Sequence, residues 1–177
     1  MKRYLYRCLI LFVSLMIVTN VLYGLGYAVY SFVQSVTQVE ETRQDRLAVF
    51  ISDKYKIAQD KAKAIVATVH QLSAEKDIDP DLVLGIIATE SSFREDAASK
   101  SSRGLMQIHH VNFKWLGIDK ETVYDIETNI ASGIVVLQGF LERHRGDMDK
   151  ALRGYSGGAK NYAYKVHKNT ATFKAIE

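Results

Sequence analysis

The sequence predicts a mostly α-helical domain preceded by an N-terminal transmembrane helix, on three observations. A single proline in 177 residues argues against a loop-rich chain. Several runs repeat apolar residues at i, i+3, i+4 and i+7, whereas no stretch alternates convincingly as a strand does. Residues 9–33 are uncharged and mostly apolar, broken only by Ser14, Thr19, Asn20, Ser31 and a few Gly and Tyr.

The uncharged run comes first. As a helix at ~1.5 Å per residue it would cover roughly 37 Å, enough for a ~30 Å hydrocarbon core with some tilt. Lys2, Arg3 and Arg7 precede it, and no basic residue follows until Arg43. The positive-inside rule therefore puts the N-terminus in the cytoplasm and exports the rest. A cleaved signal peptide is the competing reading, but Gly24, Gly26 and Ala28 alternate with larger residues and give no clear small-x-small site. Residues 1–33 are read as a cytoplasmic tip and signal anchor, 34–56 as a helical spacer, and 57–177 as the exported domain, in the periplasm or cell-wall space.

Charge and cysteine usage exclude other classes. The chain has 23 Lys+Arg against 20 Asp+Glu, but the excess lies before residue 34, so the remainder is balanced. That gives no electrostatic reason to expect nucleic acid as a partner. Cys8 is the sole cysteine, which excludes an intrachain disulfide, and its apolar surroundings suggest burial rather than reactivity. His70, His109, His110, His144 and His167 have no metal-ligand spacing, adjacent histidines commonly pointing apart, so no metal or other cofactor is expected.

Within the domain, Ala62, Ile65, Val66, Val69 and Leu72 mark an amphipathic helix over 57–76. The spacer's apolar residues, Val36, Val39, Leu47, Val49, Phe50 and Ile51, are too irregularly spaced to define a core face. The next helix has a full set of start signals: Asp79 as N-cap, Pro80 at the first position, Asp81 in the first turn, and Ile78 with Val83 as a staple. Leu82, Val83, Leu84, Ile86, Ile87 and Ala88 leave it almost no polar face, so it is central. Gly104 opens a turn that carries Leu105, Met106 and Ile108 inward. A helix follows over about 128–145, with Ile130, Ile134, Leu137 and Leu141 on one face and Gly133 allowing a close approach. Two short helices, 149–155 and 158–168, flank Gly157-Gly158.

Glu90 does not fit its helix. It shares the side of Ile86 and Ile87, where partial desolvation would raise its pKa into the range of a general acid. The bland alternative is a last-turn glutamate paired with Arg94 at i+4.

A second constellation decides between them. Glu90-Ser91-Ser92-Phe93, then Ser99, Gly104-Leu105-Met106-Gln107-Ile108, Asn129-Ile130 with Gly133 and Leu137, and Tyr155-Ser156-Gly157-Gly158 together resemble the catalytic domain of soluble-lytic-transglycosylase (SLT) enzymes. The resemblance covers residues 78–166. It implies a goose-lysozyme-like fold and a single catalytic acid/base at Glu90. It further implies substrate contacts from Ser99, Gln107 and Tyr155. Met106 and Phe93 also match, but read better as core. Two departures stand out. The loop from Glu90 to Gly104 is one residue shorter than the family's, leaving Ser99, Ser101 and Ser102 open for one role. Tyr155-Ser156-Gly157-Gly158 stands where the family has Tyr-Asn-Ala-Gly, so Ser156 either supplies the asparagine's contacts or they are absent.

The resemblance implies cleavage of the β-1,4 bond between N-acetylmuramic acid and N-acetylglucosamine in peptidoglycan, with a 1,6-anhydro product and no second carboxylate. Glu95 and Asp96 would lie about 140° and 240° around the helix from Glu90 and read as solvated loop charges. Tyr155, Tyr162, Tyr164 and Trp115 are aromatics for a sugar chain or for the core. The alternatives are a goose-type lysozyme hydrolase and a non-catalytic peptidoglycan-binding scaffold. Peptidoglycan strands and the membrane are the expected partners, with an envelope-spanning complex left open.

Overall fold

The computed structural model describes residues 2–176, with side chains at 16, 22–40 and 42–176. The order is α1 (Lys2–Tyr55), α2 (Gln59–Lys76), α3 (Pro80–Glu90), β1 (Ser102–Arg103), β2 (Ile108–His109), α4 (Phe113–Leu116), α5 (Ile126–Arg143), α6 (Met148–Tyr155) and α7 (Tyr162–Lys174). Single 3₁₀ turns precede α4 and α5. The chain divides into two units between Thr42 and Arg43. The side chain expected for Cys8 lies outside those described.

The expected transmembrane anchor is not borne out. Among the described residues no helix is long and apolar enough to cross a membrane. The run at residues 9–33 is not apolar throughout. It is interrupted by Tyr23, Gly24, Gly26, Tyr27, Tyr30 and Ser31, and the same helix continues into the polar sequence that follows.

The second unit begins earlier than the spacer reading would have it. Leu47, Ala48 and Ile51 are fully buried in the core, and Tyr55 packs on Phe93 with ring centroids 4.7 Å apart. The inward stripe is Leu47, Ala48 and Ile51, fully buried, flanked by the half-buried Arg43 and Tyr55; it starts on an arginine and includes an alanine, so a search for large apolar residues misses it. Arg43 explains the start. Its guanidinium donates to both oxygens of Asp81, at 2.9 and 3.0 Å, and to the Ile176 and Phe173 carbonyls at 3.0 and 3.3 Å. One side chain thus ties α1 to the first turn of α3 and to the end of α7. Asp81→Ala is expected to cost about 2 kcal/mol, toward the low end for a buried pair because water reaches part of this one; a urea melt beside the unsubstituted chain would measure it.

α3 forms as its sequence dictates. Asp79 caps it, its carboxylate accepting from Asp81 N at 2.9 Å, and Leu82 through Ala88 are buried. It packs along α7, whose buried stripe is Tyr162, Val166, Thr170 and Phe173. Gly85 is where the two helices meet most closely: a Cβ there would overlap the Thr170 hydroxyl and stand 3.0 Å from both Thr170 N and the Val166 carbonyl. α7 runs to Lys174, beyond the expected end at 168, because Thr170 and Phe173 continue the stripe. α5 starts at Ile126, capped by Asp125 accepting from Thr128 N at 2.8 Å.

A small antiparallel hairpin was not expected. β1 and β2 pair Ser102 with His109 and Arg103 with Ile108 around the Gly104 turn. Two residues per strand are too few for a period-2 pattern. Phe93 and Met106 are core, as their better reading had it.

Candidate active site

A cleft of about 640 Å³ opens in the second unit, between the end of α3, the hairpin, α5, and the segment from Gly154 to Lys165. Glu90, Ser99, Gln107, Tyr155 and Ser156, the five site residues expected from sequence, all line it.

Glu90 is the last residue of α3, which is why it has no i+4 partner. The chain turns away at Ser92 and Phe93, both at positive φ, and the Arg94 guanidinium bonds the Ser91 carbonyl instead. Burial raises the Glu90 pKa above the ordinary glutamate value, and a hydrogen bond from Tyr162 opposes this in part. The Tyr162 hydroxyl donates to Glu90 Oε1 at 2.6 Å. Burial and the neighbouring carboxyl push the Tyr162 pKa far upward, so this hydroxyl remains a donor. With Oε1 occupied by that bond, Oε2 can carry the acid proton.

Tyr162 was expected only as one of several aromatics. Its particular signal is a position in the first turn of a buried stripe, where a phenol with an apolar body needs an acceptor for its hydroxyl. Tyr155 stacks beside it, centroids 6.5 Å apart, and donates to the Met106 carbonyl at 2.8 Å. Burial and the Glu90 charge raise its pKa well above normal. Trp115 and Tyr164 are exposed and do not line the cleft.

The hairpin turn is held by Asn129, whose role the sequence did not disclose. Its Oδ1 accepts from Met106 N at 2.8 Å, while Nδ2 donates to the Arg103 and Val123 carbonyls at 3.2 and 2.6 Å. Gly104, at φ +77°, leaves room for that amide, and a Cβ on it would overlap Asn129. Gly133 likewise makes way for Met106. Gln107 sits at φ +48°, and its amide donates to the Ala97 and Gly104 carbonyls, both at 3.0 Å, which leaves its side-chain oxygen available to a ligand.

The two serines serve their own turns. Ser99 Oγ accepts from Ser102 N at 3.0 Å, and Ser156 Oγ accepts from Ala159 N at 3.2 Å and donates to the Arg153 carbonyl at 3.0 Å. Both residues line the cleft while shaping its rim. Ser101 and Ser102 line it as well.

Glu90 is the sole carboxylate among the described lining residues. Glu95 is engaged by Lys61 and is not in the lining. His109 and His110 do not point apart: their rings stack with centroids 4.6 Å apart. Among the described residues no group of three His, Cys, Asp or Glu could hold a metal ion. Chemically, the site offers one desolvated carboxyl, a fixed phenol donor and a ring of hydroxyl and amide groups suited to a polyhydroxylated ligand.

The transglycosylase SLT domain family matches residues 67–176, which includes the whole cleft. A protein named Transglycosylase from Enterobacteria phage PRD1 is 37% identical over 112 residues, covering 58% of this chain and 41% of that protein. This chain therefore spans about two fifths of that relative's length. With more than half its residues matched by the family, and with Glu90, Gln107 and Tyr155 gathered in one cleft, the chain belongs to the transglycosylase SLT domain family.

Proposed function

We propose that the protein is a peptidoglycan lytic transglycosylase that acts in the periplasm or cell-wall space, with Glu90 as its only acid/base. The observation that carries this reading is the lone, desolvated carboxyl in a cleft lined by hydroxyl and amide groups. Hydrolysis by the usual routes takes two carboxylates flanking the bond, and a second is missing among the described lining residues.

The steps balance with one carboxyl. Protonated Glu90 gives its proton to the oxygen linking C1 of N-acetylmuramic acid to N-acetylglucosamine, and the C1–O bond breaks. The cationic C1 is stabilised by the sugar's own 2-acetamido oxygen. Glu90, now a carboxylate, accepts the proton of the muramyl 6-hydroxyl as that oxygen bonds to C1. The 1,6-anhydro ring closes, no water is consumed, and Glu90 is returned protonated. Burial favours the neutral form needed at the start, and the Tyr162 hydroxyl steadies the carboxylate formed midway. Gln107, Tyr155, Ser99 and Ser156 bind and orient the glycan.

The test is mass spectrometry of the soluble products released from purified peptidoglycan by the full chain. Muropeptides ending in 1,6-anhydromuramic acid are expected. Reducing ends would overturn the transglycosylase in favour of a hydrolase, and binding without release would overturn catalysis altogether.

The Tyr162 bond gives this mechanism a pH signature. Activity needs protonated Glu90, so it falls as pH rises through the Glu90 pKa. Tyr162→Phe removes the contact that lowers this pKa, so the falling limb should move to higher pH while the maximal rate drops about tenfold or more. A pH–rate profile on soluble glycan strands measures both.

A further inference from the structure

Two lysines line the cleft without a part in the acid–base steps. Besides Glu90, the fixed charges among its described lining residues are Lys160 and Lys165, both exposed to solvent. They flank Tyr162 on the same segment, so they stand on the wall that carries the partner of the acid. Residues 150–176 contain six Lys and Arg and no Asp or Glu. Two of those six are committed elsewhere, Lys150 to Asp147 and Lys174 to Asp79. Lys160 and Lys165 have no ion-pair partner among the described residues. The one carboxyl that shares their cleft is held toward its neutral form by burial, so it offers them little countercharge. The lining segment from Ser99 to Asn112 contributes no Asp, Glu, Lys or Arg. The cleft therefore has one cationic wall and one neutral wall.

We infer that Lys160 and Lys165 form an anion subsite that engages the free carboxylates of the peptide stems on the muramyl residues, making stem-bearing glycan the preferred substrate. This deepens the transglycosylase reading and rests on it. The chemistry fits the geometry of the substrate. The stem hangs from the lactyl group of the same muramyl sugar whose C1–O bond Glu90 would cleave, so its first residues start beside the reacting bond. Its second residue extends roughly 7 Å along the chain and bears a free α-carboxylate when it is not amidated. A neutral wall suits the sugar faces, and a cationic wall suits the stems. Two exposed ammonium groups contribute modestly, so the preference should be a matter of roughly three- to tenfold and sensitive to salt.

The experiment separates this from the catalytic reading by measuring binding without turnover. Full-chain protein carrying Glu90→Gln is titrated with glycan strands whose stems have free carboxylates and with the same strands after those carboxylates are converted to amides. The free-acid strands should bind roughly three- to tenfold tighter in low salt, and the advantage should shrink between about 0.05 M and about 0.5 M salt. Adding Lys160→Glu and Lys165→Glu should bring the affinity ratio to about one or below, and the milder Lys160→Gln with Lys165→Gln should do so in part. Lys168→Glu, an exposed charge on the same helix outside the cleft lining, should leave the ratio as it was. Equal binding of the two strands, or a ratio unmoved by the substitutions within the cleft, overturns the subsite. The products made by the chain with its Glu90 intact decide the transglycosylase reading independently.

Discussion

Glu90→Gln is expected to abolish release of anhydromuropeptides, with a fall in rate of roughly 10²- to 10⁴-fold, the usual contribution of a positioned acid/base. The amide cannot give up a proton to the glycosidic oxygen or take one from the 6-hydroxyl, so both steps fail together. Its oxygen can still accept from Tyr162, so the cleft should keep its shape and its affinity for glycan. The stability change has a definite sign. Burial raises the Glu90 pKa in the folded chain, so the folded state bears a penalty that is absent below the unfolded glutamate pKa and grows as pH rises through the folded one. The variant should therefore melt at the same temperature as its parent in acid and at an equal or higher temperature at neutral pH. Thermal melts at two pH values, run beside product analysis, check both halves. A lower melting temperature at neutral pH would indicate that the Tyr162 bond, not desolvation, dominates at this carboxyl.

The largest loss of stability from a single side chain near the cleft should come from Asn129→Ala. Three hydrogen bonds disappear together, stranding the Met106 amide and the Val123 and Arg103 carbonyls around a side chain with no exposed surface. At about 1–3 kcal/mol for each buried group left unpaired, partly offset by relaxation, the expected cost is about 3–5 kcal/mol. That corresponds to a fall of roughly 10 °C or more in melting temperature for a unit of this size. Activity should suffer even in the cold, because the released turn carries Gln107 and the carbonyl that Tyr155 bonds. Asn129→Asp is informative beside it. It keeps an acceptor for Met106 N but turns an oxygen toward two carbonyls, so it should be no better than alanine. Calorimetry and kcat/KM on glycan strands measure the two effects.

The helices of the domain were legible where local chemistry marks their ends. Asp79-Pro80-Asp81 fixed the start of α3, and the dense apolar run behind it required a central position. The site was legible through Glu90, because a carboxylate beside Ile86 and Ile87 contradicts its surroundings. What stayed hidden depends on contacts between distant residues. Asn129 counts only as a member of the Asn129-Ile130 motif, with no role of its own, until the Gly104 turn is folded onto it. The core stripe of α1 reads as irregular until Arg43 is seen to reach Asp81 across 38 positions of sequence. The 9–33 run differs in the opposite way: it carries no charge, but its tyrosines, glycines and serines lower the apolar content that a membrane span requires.

The meeting of α3 and α7 at Gly85 bears on how far such a chain can drift. The rim of the cleft is built from turns whose serines bond their own backbone, so substitutions there reshape a local loop and leave the acid where it is. Glu90 and Tyr162 are different, because each is fixed by its helix, and their 2.6 Å separation is set by how closely the two helices lie. That spacing is enforced at Gly85 and Thr170, more than one helical turn from the reacting atoms and outside the cleft lining. An alanine at Gly85 would add a single methyl group and touch no ligand, yet it would wedge apart the proton donor and the phenol that steadies it. Tolerance to mutation in this chain should therefore be low at a position that a map of substrate contacts would leave blank.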